Sequence, residues 1–202
     1  MPNQKAGQFW HGDRCAKVQT GWPSGRYDKK MKKTDSKAAD VDILTERRIQ
    51  PERRISVDSA AVITKWSRRT WWRRITDGDA TRMDDDSKGR AMLSFAEVQA
   101  QIYVPMNAED LACLVRADAG DAEAQNDIGQ LFLNAGQPEA AVYWLQLATK
   151  QDHADAMQCL GRCYVSGDGV PKDANIGIMW IAKAAAHGHV IAQGQINKFQ
   201  YR

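Results

Sequence analysis

No stretch of this 202-residue sequence approaches the ~20 consecutive apolar residues that a membrane-spanning helix requires. Residues 1–18 are mostly polar and lack the apolar centre of a secretory signal. Arg47-Arg48 has no such centre behind it either, which argues against a twin-arginine export signal. A cytoplasmic location is the expectation. Cysteine is scarce: Cys15, Cys113, Cys159 and Cys163 lack the spacing of a disulfide framework and are expected to be reduced thiols. Also missing are a Ser-His-Asp set, a pair of poised carboxylates and a phosphate-cradling glycine loop. The chain is therefore expected to be no enzyme and to need neither cofactor nor metal.

What is present divides by charge. Residues 1–90 hold 21 Lys and Arg against 13 Asp and Glu, a balance of +8. Residues 91–202 hold 7 against 12, a balance of −5, and the two give the net +3 of the chain. A basic half joined to an acidic half suggests two segments with different partners. Apolar residues make up 43% and charged residues 26%, near globular averages, and the mean hydropathy of −0.56 implies that part of the chain is not buried.

Residues 1–42 follow neither a helical nor a strand period and include Lys29-Lys30-Met31-Lys32-Lys33, so they are expected to be disordered. Met31 is also a possible natural start. Residues 43–76 are Arg- and Trp-rich: Glu46-Arg47-Arg48-Ile49 returns as Glu52-Arg53-Arg54-Ile55 around Pro51. Ser56 or Asp58 is placed to cap a single helix running to about Ile75, with Asp77-Gly78 as its stop. Its apolar residues fall on opposite faces, Ile55, Val62 and Trp66 against Val57, Trp71 and Ile75. That helix would be only weakly amphipathic, a poor fit to a membrane surface. Residues 77–90 read as a linker with the acidic run Asp84-Asp85-Asp86, solvated in preference to a cation site. In 91–119, Met92, Phe95, Val98 and Ile102 at three- and four-residue steps predict a helix ended by Pro105. Asn107 would cap a second helix that stops near Gly120, making a degenerate capping pair.

Residues 120–202 contain an internal repeat. Ala124, Ile128, Gly129, Leu131 and Phe132 recur 32 residues on as Ala156, Leu160, Gly161, Cys163 and Tyr164. Trp144, Leu145, Ala148 and His153 recur 36 residues on as Trp180, Ile181, Ala184 and His189, the extra four residues being the loop Gly167-Asp168-Gly169-Val170-Pro171. A third copy starts at Ala192 and Ile196. The run Ala156-x-x-x-Leu160-Gly161-x-x-Tyr164-x-x-Gly167-x-Gly169-Val170-x-x-Asp173, continuing to Trp180, Lys183-Ala184-Ala185 and Gly188-His189, resembles the Sel-1-like repeat, a relative of the tetratricopeptide repeat. The resemblance spans about residues 120–197. It implies an all-α fold, a short α-solenoid of antiparallel helix pairs preceded by the basic N-terminus and basic helix. Gly129 and Gly161 would let partner helices approach, Trp144 and Trp180 would lock each pair, and Gly167 and Gly169 would turn the chain between helices. Stacked pairs of this kind present a concave protein-binding surface. By the same resemblance, Glu123, Asn126 and Gln130 in one copy and Asp155, Gln158 and Arg162 in the next would line it. Acidic Glu123 and Asp155 favour a partner with positive charge, including the chain's own Arg-rich segment.

Two other clusters carry candidate chemistry. Cys159 and Cys163, four apart, with His153, His187 and His189 nearby, have metal-ligand residue types. Cys163, however, occupies the seam position of Leu131, and the two repeat-matched histidines lie at helix ends, so packing is the preferred reading. In residues 47–74, Arg47, Arg48, Arg53, Arg54, Arg68, Arg69, Arg73 and Arg74 interleave with Trp66, Trp71 and Trp72. Guanidinium groups can neutralise phosphates and indoles can stack on unpaired bases; the same residue types dominate protein interfaces. Docking on the repeats or on another protein, nucleic-acid binding and an anionic surface all remain open. The expected function is a non-enzymatic protein–protein scaffold or adaptor. The alternative is a nucleic-acid-associated protein whose Arg/Trp segment (Arg68, Arg69, Arg73, Arg74, Trp66, Trp71, Trp72) binds RNA or DNA while the repeats recruit a protein.

Overall fold

Residues 53–200, which a computed structural model of the chain describes, begin with a three-residue strand and continue mostly as helices. The basic stretch 1–42 and the Arg47-Arg48 pair lie outside the described residues. Strand β1 (Arg54–Ser56) leads into α1 (Val57–Thr64) and α2 (Arg68–Asp77); β2 (Arg82–Met83), β3 (Met92–Ser94) and α3 (Phe95–Gln99) follow. The order β1-β3-β2 puts β3 in the centre, antiparallel to both neighbours, with Ile55 opposite Leu93 and Met83 opposite Met92.

The single helix expected through 58–75 is two helices. Ser56 Oγ accepts the Ser59 N–H and starts α1. Lys65 then takes a left-handed φ of 58°, and Ser67 Oγ accepts the Thr70 N–H to start α2. Gly78, at φ 82°, ends α2 where the Asp77-Gly78 stop was expected. The break explains the poor amphipathicity of the unbroken helix. Once the chain folds back, the two opposed faces meet: Ile55, Val57, Ile63 and Trp71 are buried together, with Val62, Trp66 and Ile75 packed beside them. Trp71 donates its indole N–H to Thr64 Oγ1 at 3.2 Å and lies 5.0 Å from the Trp66 ring.

Residues 77–90 are not an open linker. Asp86 Oδ1 accepts the backbone N–H groups of Lys88 and Arg90, closing the connection between β2 and β3. Those backbone donors, Arg90's foremost, hold the Asp86 carboxyl below its ordinary range. The helix expected from Met92 is likewise shorter, because Met92 and Leu93 pair with strands on both sides and helical geometry starts only at Phe95. Met92, Phe95 and Val98 are buried all the same.

From residue 108 the chain is helical as the repeat implies. α4 (Ala108–Ala119) opens with a capping box in which Asn107 accepts the Asp110 N–H and Asp110 accepts the Asn107 N–H; it closes at Gly120. Then come α5 (Ala122–Asn134), α6 (Pro138–Thr149), α7 (Ala154–Ser166), α8 (Ala174–Ala186) and α9 (Val190–Gln200). Consecutive helices pack in pairs, α5 with α6 and α7 with α8 most extensively. Gly129 and Gly161 explain how the helices come so close. A Cβ on Gly129 would lie 2.8 Å from the Leu145 side chain, and one on Gly161 2.9 Å from the Gly177 carbonyl oxygen. Ala124, Ala156 and Ala192, equivalent in three successive copies, are each fully buried. The two tryptophans are not equal: Trp144 is fully buried, whereas Trp180 is half-buried with Lys183 over its ring, so Ile181 and Ala184 supply the buried contact there.

Candidate functional site

The first helices of the two repeats, α5 and α7, are in contact and expose equivalent positions. Glu123 and Gln130 on α5, and Asp155 and Arg162 on α7, are exposed. Asn126 and Gln158 are not: both are buried, and Asn126 Oδ1 has no hydrogen-bond partner among the described residues. The expectation that these two line a groove therefore gives way to an interior position. Their polarity hid this, because the repeat aligns them with each other but with no apolar residue.

The repeat-matched histidines have a defined task. His153 Nδ1 accepts the Ala156 N–H and caps α7; His189 Nδ1 accepts the Ala192 N–H and caps the next copy. A neutral ring that accepts at Nδ1 carries its hydrogen on Nε2. His153 Nε2 thus donates to Glu123 Oε2 at 2.9 Å, and His189 Nε2 stands 3.4 Å from Asp155 Oδ1. Glu123 and Asp155, at matched positions on the first helices of the two copies, are thus each tied to the cap of the next copy. Cys163 is buried with Leu160, Ala156 and Leu145, and burial pushes its thiol up to about 11. The residue packs as its alignment with Leu131 implies.

The Arg/Trp set separates into two groups. Trp71 is buried, Trp66 half-buried, and Arg74 lies over the Trp66 ring while donating to the Asp79 carbonyl. These three hold the α1–α2 pair together, Trp71 wholly inside it and Trp66 and Arg74 partly exposed. Arg68, Arg69, Trp72 and Arg73 are exposed on the outer side of α2. Arg68 pairs with Asp58 at 2.8 Å, and the Arg82 guanidinium sits 5.6 Å from the Trp72 ring. Described arginines of this segment do not cover the acidic repeat residues: α1 touches α6, and Glu123 and Asp155 are engaged by histidines.

One centre was missed from sequence. Asp118, almost fully buried near the end of α4, accepts the backbone N–H of Ser56 at 3.0 Å and the hydroxyls of Ser56 and Ser59 at 2.5 and 2.6 Å. Arg90 completes it, with Nη1 3.2 Å from Asp118 Oδ1, Nη2 donating to the Asp118 carbonyl, and a second ion pair to Asp86 at 2.7 Å. The junction fastens β1, α1 and the β2–β3 connection to the first helix before the repeats. A signal existed: a carboxylate in the last turn of a helix opposes the macrodipole, so Asp118 two residues before Gly120 called for a cationic partner. A cavity of about 390 Å³ beside this junction is lined by Arg53, Arg54, Lys88 and Arg90 together with Asp86 and Asp118.

Among the described residues, no helix is long and apolar enough to cross a membrane. In comparison with known proteins, a family model described as the Sel1 repeat matches residues 122–153 and 154–189. Among solved structures, the chain is similar to one described as the crystal structure of a Sel1 repeat protein from Oxalobacter formigenes. The identity is 23% and the TM-score 0.40, over 79% of this chain and 98% of that one.

Proposed function

From the premise that residues 122–189 are two Sel1 repeats, we propose that the protein is a non-enzymatic scaffold that holds a protein ligand along the α5–α7 side of the array. The observation that carries the reading is the matched exposure of Glu123 with Asp155 and of Gln130 with Arg162 on helices in contact. Repetition of polar exposed positions gives an extended ligand a repeated foothold. The carboxylates Glu123, Asp127 and Asp155 favour a ligand with basic side chains. Two copies offer a short surface, so affinity is modest. A cytoplasmic setting belongs to the same proposal, and the free thiols Cys113, Cys159 and Cys163 suit a reducing compartment.

The test is site-directed photo-crosslinking in native lysate treated with nuclease. A benzophenone amino acid at Gln130 or Arg162 should each cross-link the same protein, and one at exposed Lys150 should not. Crosslinking of that protein from Lys150 alone would contradict the assignment. Asn126→Ala and Gln158→Ala report on folding, since both side chains are interior.

A further inference from the structure

We propose that residues 53–99 form a helix-turn-helix module that binds double-stranded DNA, with α2 as the helix that enters the major groove. The inference is independent of what the repeats bind. α1 and α2 are joined by only three residues, Lys65 to Ser67, and the turn is fixed by the left-handed Lys65 and the Ser67 cap. Trp71, under α2, is locked by its indole hydrogen bond to Thr64 of α1. The second helix is thereby held rigidly, as reading a groove requires.

With its inner face occupied, α2 presents an outer face of one composition. At 3.6 residues per turn, Arg68, Trp72, Thr76, Arg69 and Arg73 fall within an arc of roughly 140°, and all five are exposed. Among the described residues no carboxylate pairs with Arg69 or Arg73, while Arg68 opens the helix beside Asp58. Residues 53–82 carry eight Lys and Arg against three Asp and Glu. A ten-residue helix is ~15 Å long, and a major groove ~12 Å wide admits it, with the residues of its first turn nearest the base edges. Arg68 and Arg69 occupy that first turn, at the end where the helix dipole favours phosphate.

Two observations choose duplex DNA over other polyanions. Single-strand binding relies on exposed aromatic faces, yet Trp71 is buried, the half-buried Trp66 ring is covered by Arg74, and Trp72 stands beside Arg82. An anionic membrane surface would need apolar side chains between the arginines, and the outer arc of α2 offers Thr76 and one partly exposed indole. The β2–β3 connection takes no part in phosphate contact, because Asp84 and Asp85 are exposed there. The arginines of α2 carry the contact.

The experiment uses the full chain. Rounds of selection from a randomised 20-bp duplex pool are followed by anisotropy titration of the enriched duplex, its separated strand and phosphatidylglycerol vesicles, over a range of salt. An enriched sequence should emerge and bind as duplex in preference to the single strand or the vesicles. Arg69→Ala with Arg73→Ala should weaken duplex binding at least tenfold while leaving the circular-dichroism spectrum intact. If both arginines touch phosphate, the slope of log affinity against log salt flattens by about 1.8, at ~0.9 per contact. Lys150→Ala, exposed on the repeats, should change nothing. Failure to enrich any sequence, equal or better binding of the single strand or vesicles, or an unchanged affinity in the double variant would each overturn the proposal.

Discussion

The repeats at 122–189 and the module at 53–99 belong to one compact unit and are built in different ways. In the repeats each solution is used twice: Gly129 and Gly161 admit the partner helix, Ala124 and Ala156 fill the same seam, and His153 and His189 cap equivalent helices. In the module nothing recurs. It shares one apolar core with the first repeat, Ile55 and Trp71 clustering with Ile128, Phe132 and Trp144, and adds to it single polar contacts between residues distant in sequence, above all Asp118 with Ser56 and Ser59. Repetition spreads stability over many similar contacts, whereas a unique junction concentrates it in a few side chains, each of which leaves buried polar partners behind if removed.

The sharpest contrast is among the tryptophans. Trp71→Ala in the module and Trp144→Ala in the first repeat should each cost about 3–5 kcal/mol, the usual range for a fully buried aromatic. Trp180→Ala, half-exposed under Lys183, should cost clearly less. Urea denaturation followed by circular dichroism ranks the three, and a Trp180 loss equal to that of Trp144 would make the two copies more alike than their burial indicates.

The same contrast governs what could be read from sequence. Helix pairs from residue 120 onward were legible because position, spacing and small residues coincide in two copies. The capped helix at Asn107 and the stop at Gly78 were legible from local chemistry alone. Strands of two or three residues are too short to show alternation, so Met92, three residues before Phe95, reads as the start of a helix. Lys65 carries no mark of a left-handed residue, which hid the turn. At the candidate surface, exposure of Glu123, Gln130, Asp155 and Arg162 agrees with their alignment. The interior placement of Asn126 and Gln158 depends on neighbouring helices that no local pattern reports.

Substituting the two helix glycines divides the copies by a smaller amount. Gly161→Ala places a Cβ against the Gly177 carbonyl and the Ile181 backbone, which cannot step aside, and should cost about 1–3 kcal/mol. Gly129→Ala meets the flexible end of Leu145 and gains up to ~1 kcal/mol of helix propensity, so its thermal midpoint should stay near that of the wild type. A reversed order would mean that the α5–α6 pair is the more tightly packed.

The smallest effect concerns Cys163. With its thiol at about 11 against an ordinary 9.0, the neutral form is favoured on folding. Its stabilising contribution is complete below pH 9 and fades as the pH rises through about 11. At pH 8 the native protein should alkylate at Cys163 far more slowly than the urea-unfolded chain, as peptide mass spectrometry can show. Equal rates would place the residue at the surface.

Asp118 provides the most direct test that a unique junction holds the module to α4, the helix just before the repeats. Asp118→Ala leaves Ser56, Ser59 and Arg90 without their shared acceptor. Native-state hydrogen exchange on this variant should show lost protection in residues 53–64, with 122–189 still protected as in the wild type. Undiminished protection in 53–64, or an equal loss across both regions, would contradict the account.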